Sequence, residues 1–82
     1  MNINKLLKRA MNFKSKKYCV SLEYTSGLEA ITLNIHEKTY DEKTQLNSYE
    51  NVVMKSHYIG ENYGASLEEM WELIGAYETK MG

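Results

Sequence analysis

The sequence predicts an α+β fold, a three-stranded antiparallel β-meander flanked by N- and C-terminal helices in the order α-β-β-β-α. Three observations carry that reading. Apolar residues recur at helical spacing near both ends of the 82-residue chain, they alternate with period two between those ends, and glycine-bearing or polar turns separate the alternating runs. No proline, repeat or linker-like stretch interrupts the pattern, so residues 1–82 read as a single α+β domain.

The first helix is marked by Ile3, Leu6, Leu7, Ala10 and Met11, one apolar stripe at the i, i+3, i+4, i+7, i+8 positions. Asn2 is placed to cap it by accepting a hydrogen bond from an otherwise unpaired backbone N–H. Lys8 and Arg9 suit the negative pole of the helix dipole, and Asn12 is the expected exit.

The period then drops to two. In "KYCVSLEY", Tyr18, Val20, Leu22 and Tyr24 alternate with Cys19, Ser21 and Glu23; after "TSG", Ile31, Leu33 and Ile35 alternate with Thr32, Asn34 and His36. A two-residue turn at Ser26-Gly27, with Gly27 at positive φ, would set Leu22 opposite Ile31, Val20 opposite Leu33 and Tyr18 opposite Ile35. All the apolar residues then share one face, and a slip of one residue would undo the match.

"EKTYDEKTQLNSYEN" (37–51) is polar, with Leu46 its sole aliphatic residue. If residues 41–44 turn, the chain returns antiparallel and sets Met54 opposite Ile31 and Val52 opposite Leu33 on the core face. Glu50 then meets Ile35 and Ser48 meets Glu37. The outer half of this hairpin projects as a polar arm, a better fit to a small domain than a long structureless loop. A short helix within residues 46–56 is the competing assignment. "IGENYGA" reads as a loop. Ser66 with Glu69 forms a capping box, and Leu67, Met70, Trp71, Ile74 and Tyr77 make the second helical stripe. Gly75 lies inside that helix, explained either by close approach to the sheet or by early fraying.

Composition narrows the function. No apolar run is long enough to cross a bilayer, and the opening residues lack the apolar stretch of a secretion signal. A lone cysteine, Cys19, has no partner for an intrachain disulfide and suits a reducing cytosol, so a cytoplasmic location is expected. The net charge of −1 conceals a division. Residues 1–22 hold Lys5, Lys8, Arg9, Lys14, Lys16 and Lys17 without an acid, while residues 23–82 hold all eleven acids against four lysines.

Catalytic chemistry finds little footing. Cys19, His36 and His57 lack metal-ligand spacing, so no metal or cofactor is expected. The predicted register sets Cys19 opposite Asn34 with His36 two positions on, an arrangement without an evident pocket or oxyanion site. Asp41/Glu42 and Glu68/Glu69 are adjacent acids with no sign of burial, and "GENYG" lacks a phosphate-loop lysine. The expectation is a non-enzyme with no catalytic residues.

Two surfaces remain. The first comprises Glu37, Tyr40, Asp41, Glu42, Tyr49 and Glu50 of the arm, with Tyr58, Glu61 and Tyr63 in its neighbourhood. Tyrosine supplies contact area with few rotatable bonds, and carboxylates hasten encounter with a basic partner. The alternative is a nucleic-acid-binding surface made by Lys5, Lys8, Arg9, Lys14, Lys16 and Lys17, although a sequence pI near 6.1 argues against it. A third candidate is homo-oligomerisation through an exposed third strand.

The opening "MNIN-K-L" helix, the "KKYCVSL" strand and "AITLNIHEKTY" resemble the small phage-encoded anti-CRISPR proteins that inhibit Cas9, over roughly residues 1–40. The resemblance implies a helix, a three-stranded antiparallel sheet and further helices. It also implies a stoichiometric, non-catalytic block of a nucleic-acid or PAM-reading surface. The implied partner is a bacterial host protein, a CRISPR effector such as Cas9, met in the host cytoplasm without membrane involvement.

Overall fold

The computed structural model describes residues 1–61 and 63–80. The elements follow in the expected order: α1 (Ile3–Met11), β1 (Tyr18–Thr25), β2 (Ala30–Asp41), β3 (Leu46–Tyr58) and α2 (Leu67–Thr79). Both helices begin on the residues that their capping chemistry indicates. Asn2 Oδ1 accepts from the Lys5 N–H at 2.8 Å, and Ser66 Oγ accepts from the Glu69 N–H at 3.0 Å. The three strands form one antiparallel meander in the order β1-β2-β3. This is the small α+β, α-β-β-β-α arrangement that the periodicities predict.

The first hairpin keeps its faces but not its register. Leu22 lies opposite Leu33, Val20 opposite Ile35 and Tyr18 opposite Glu37, a slip of two residues from the expected pairing. The turn has four residues, Ser26 to Glu29, closed by a hydrogen bond from the Glu29 N–H to the Ser26 carbonyl at 3.2 Å. Glu29, at φ 49°, takes the left-handed position expected of Gly27. Side chains alternate with period two, so an even slip leaves every apolar residue on its original face.

The second hairpin is corrected more deeply. The turn occupies residues 42–45, with Gln45 at φ 57°, and Asp41 holds it through its carbonyl to the Gln45 N–H (2.7 Å) and through Oδ1 to the Lys43 N–H (2.9 Å). A β-bulge then interrupts β3: Ile35 pairs with Val53, but His36 pairs with Asn51, leaving Val52 as the extra residue. The bulge is an odd step and reverses the facing of the inner half of β3. Val53 packs on the core, whereas Val52 and Met54, the expected core residues, are exposed at 38% and 67%. The competing helix within residues 46–56 is excluded, since all of Leu46–Tyr58 is strand.

The core sits between the helices and one sheet face. Leu6 of α1, Met70 and Ile74 of α2, and Leu33 and Ile35 of β2 are fully buried, with Tyr18 and Ala65 beside them. Tyr77 of α2 meets Tyr18 edge-on at 4.9 Å between ring centroids. Among the described residues no helix packs on the opposite sheet face, which bears Cys19, Asn34, His36 and Tyr49.

α2 runs unbroken through Gly75 to Thr79, so fraying does not explain that glycine. Its neighbour is the Arg9 guanidinium of α1, not the sheet. After β3 the chain doubles back along the strand end: Gly64 bridges His57, the Ala65 N–H reaches the Ser56 carbonyl at 2.8 Å, and His57 Nδ1 lies 2.9 Å from the Ala65 carbonyl oxygen.

Candidate partner-binding site

Beyond the last core pair, Ile35–Val53, the β2–β3 ribbon continues for six residues of β2 and seven of β3 and buries nothing large. It is why the molecule measures 47 Å along its longest axis and has a radius of gyration of 13.9 Å, against about 12 Å for a compact chain of this length. The ribbon is held by its ladder and by a 2.6 Å hydrogen bond between the Thr39 and Ser48 hydroxyls. Its sequence explains its exposure: with Leu46 the sole aliphatic side chain, neither face has enough apolar surface to fold back onto the core.

Alternation sorts the predicted contact residues onto two faces. Lys38 pairs with Tyr49 and Tyr40 with Asn47, so the two tyrosines are diagonal neighbours on the open face of the sheet. They are exposed at 59% (Tyr40) and 56% (Tyr49). Glu37 lies directly opposite Glu50 on the other face, continuous with the helix-covered side, and Asp41 shares it opposite Leu46. Glu42 is in the turn at the tip. Like charges directly across a ladder repel. Here Lys17 relieves the strain, its Nζ standing 3.4 Å from Glu37 Oε1. Glu37 is therefore an anchor at the root of the arm. Asp41, Glu42 and Glu50 form no ion pair among the described residues.

Tyr58, Glu61 and Tyr63 do not join this surface. Tyr58 pairs with Ala30 at the far end of the sheet and stacks on Tyr63 at 4.8 Å. It lies nine residues along β3 from Tyr49, about 30 Å at the rise of a strand.

The basic set is likewise divided. Arg9 is drawn into the helix interface, bonded to Glu78 Oε1 at 2.8 Å and lying 5.9 Å from the Trp71 ring centroid. Lys17 pairs with Glu37 while its side chain stays partly exposed. Lys5, Lys8, Lys14 and Lys16 keep exposed side chains.

The corrected register brings Cys19 directly opposite His36 on the open face, with Asn51 next across on β3. No hydrogen bond joins Cys19 and His36 among the described residues, and Asn51 donates instead to Asn34 Oδ1 at 3.3 Å. No group of three or more His, Cys, Asp or Glu residues that could hold a metal ion occurs among the described residues. No helix there is long and apolar enough to cross a membrane.

One feature escaped the sequence reading. The outer side of α1 is left bare: Ile3, Leu7 and Met11 are exposed at 39%, 45% and 75%. With Leu6, Leu22, Tyr24 and Ile31, the first two line a shallow groove of about 160 Å³ between α1 and β1. Its signal was five apolar positions in a nine-residue helix, a stripe broader than one helix–sheet contact covers. No family model, characterised protein or solved structure matches this chain significantly.

Proposed function

We propose that this chain is a non-enzymatic binding protein of phage type that presents its β2–β3 arm to a basic surface of a bacterial defence effector and masks it stoichiometrically. The observation that carries the reading is the adjacent placement of Tyr40 and Tyr49, both more than half exposed, on a ribbon that contributes nothing to the core. Exposed tyrosines of this kind fit the anchoring residues of protein interfaces. Asp41, Glu42 and Glu50 supply negative charge that steers association with a lysine- or arginine-rich patch. The resemblance of residues 1–40 to Cas9-inhibiting anti-CRISPR proteins selects an RNA-guided effector as the partner class.

The test adds the chain to a guide-loaded Cas9-type effector and follows target-DNA binding. The expected result is loss of DNA binding near one chain per effector, relieved by the triple change Asp41→Lys, Glu42→Lys, Glu50→Lys through slower association. Undiminished DNA binding at excess chain removes the effector from the proposal. Inhibition indifferent to the triple change removes the arm.

A second reading rests on the exposed Lys5, Lys8, Lys14 and Lys16: a nucleic-acid contact made through phosphates. It requires DNA or RNA binding that weakens steeply with salt, and a gel shift at low ionic strength that shows no retarded species eliminates it.

A further inference from the structure

We propose that the outer edge of β1, together with the Ile3–Leu7–Met11 stripe of α1, is an isologous interface with a second copy of this chain. Two three-stranded sheets thereby join into one six-stranded sheet.

The edge is open, and its phase follows from two hydrogen bonds. The Lys38 N–H donates to the Lys17 carbonyl at 2.7 Å, so odd-numbered residues of β1 turn their backbone groups toward β2. Even-numbered residues turn theirs outward, and the Tyr18 N–H does so, meeting Ser15 Oγ at 3.1 Å. The N–H and C=O groups of Val20, Leu22 and Tyr24 thus point away from the sheet. Outside the strand ladder, no backbone partner holds them among the described residues.

The other edge of the sheet is defended where β1 is bare. β3 carries a bulge at Val52, a charged Lys55 beyond it, and a covered end where Gly64 and Ala65 bond to His57 and Ser56. The middle of β1, Cys19-Val20-Ser21-Leu22, has neither charge nor bulge.

Beside this edge lies the apolar stripe. Arg9 reaches α2, and at 100° per residue Leu7 stands with Ile3 and Met11 on the opposite side of α1, away from α2, where Ile3 and Leu7 border β1 at Leu22 and Tyr24. Leu22 and Tyr24 continue the apolar surface from helix to strand.

Charge selects the occupant. β1 is entered through Lys16 and Lys17 and carries Glu23 near its far end. In the register that joins the outward-facing even-numbered residues of two copies, with Val20 at the two-fold axis, antiparallel pairing of β1 with itself sets Lys17 of each copy across from Glu23 of the other, twice in a two-fold contact. Solvated ion pairs add little affinity but set the register; the apolar stripe and the unpaired backbone groups provide the attraction.

Sedimentation equilibrium of the full chain, from low micromolar to millimolar concentration, tests the proposal. A reversible monomer–dimer equilibrium is expected, with slower amide exchange at Val20, Leu22 and Tyr24 as concentration rises. Leu7→Glu, an exposed position, should weaken the dimer by about tenfold or more because each change counts twice. Glu23→Lys should weaken it several-fold, with the melting temperature of each variant reporting an intact fold. A chain that stays monomeric throughout overturns the proposal. So does a dimer indifferent to Leu7→Glu and Glu23→Lys, which would have to use β3 or the arm. Neither outcome bears on the arm reading, whose test concerns other residues.

Discussion

Arg9 and Glu78, 69 residues apart in sequence, meet at 2.8 Å and tie the end of α1 to the end of α2. The second oxygen of Glu78 accepts from the Lys14 N–H at 2.9 Å, so one carboxylate holds both the helix and the turn that leads into β1. The hydrogen bond from Arg9 is the main cause, and that from Lys14 the next, of a Glu78 pKa lowered below the ordinary glutamate value. A depressed folded-state pKa means that the ionised form is the one favoured by folding. Its contribution is complete above the unfolded-state pKa and disappears as pH falls through the folded-state value. Glu78→Gln should therefore lower the melting temperature at neutral pH. The gap from the parent should close as acid titrates the carboxylate, as thermal melts over an acid-to-neutral series would record. A pH-independent gap would mean that packing, not ionisation, sets the role of Glu78.

Two glycines should respond to alanine with opposite signs. A Cβ at Gly75 would stand 3.7 Å from an Arg9 nitrogen, an ordinary contact, and would remove a flexible residue from the middle of α2. Gly75→Ala should stabilise by about 0.5–1 kcal/mol. At Gly64, φ is +89° and a Cβ would come within 2.7 Å of the Ser56 carbonyl oxygen, which is backbone and cannot step aside. Gly64→Ala should cost more than about 1 kcal/mol, and should free the end of β3 before the core unfolds. Chemical denaturation of the two variants checks both signs.

The helices, the meander and the projecting ribbon were legible because each rests on local pattern. Asn2, Ser66 and the i, i+3, i+4 stripes declare the helices, and strict alternation from Tyr18 to Ile35 declares a half-buried hairpin. What was not legible is long-range and odd-numbered. The first turn was misjudged by two residues because Glu29, not Gly27, takes the left-handed conformation. The face assignment survived only because two is even. The bulge at Val52 broke that protection, and nothing in "NVVMK" says which valine is extra. The tyrosines of the arm were found from composition. The division of acids and tyrosines between its faces, and the pairing of Glu37 with Lys17, needed the register.

Because residues 38–49 bury no large side chain, the arm should be removable. Joining Glu37 to Glu50 through an Asn-Gly turn recreates a tight hairpin at a pair already in register. The shortened chain should melt within a few degrees of the parent, since the excised residues bury no large side chain and only one backbone hydrogen bond, Lys38 N–H to the Lys17 carbonyl, ties them to β1. It should also lose partner binding altogether, where the charge reversals only slow it. Binding retained by the shortened chain would move the docking site to the open sheet face or to α1.

The bulge itself can be read out by three alanine substitutions in a row. Without it, the pairing seen in the outer ribbon would continue inward, and Val52 and Met54 would face Leu6 and Met70 while Val53 pointed to solvent. With it, Val53 packs beside Ile35 and the flanking residues are bare. Val53→Ala should then cost about 1–2 kcal/mol, the transfer term for two methyl groups from a half-buried site. Val52→Ala and Met54→Ala should each stay within about 0.5 kcal/mol of the parent. The reverse order, Val53 tolerant and Met54 costly, would place the ladder one residue out. Tyr49 and Tyr40 are numbered from the outer side of the bulge, so their shared face does not depend on Val52. What the bulge decides is how a ribbon with its tyrosines turned away from the helices joins a strand whose inner half must turn Val53 toward them.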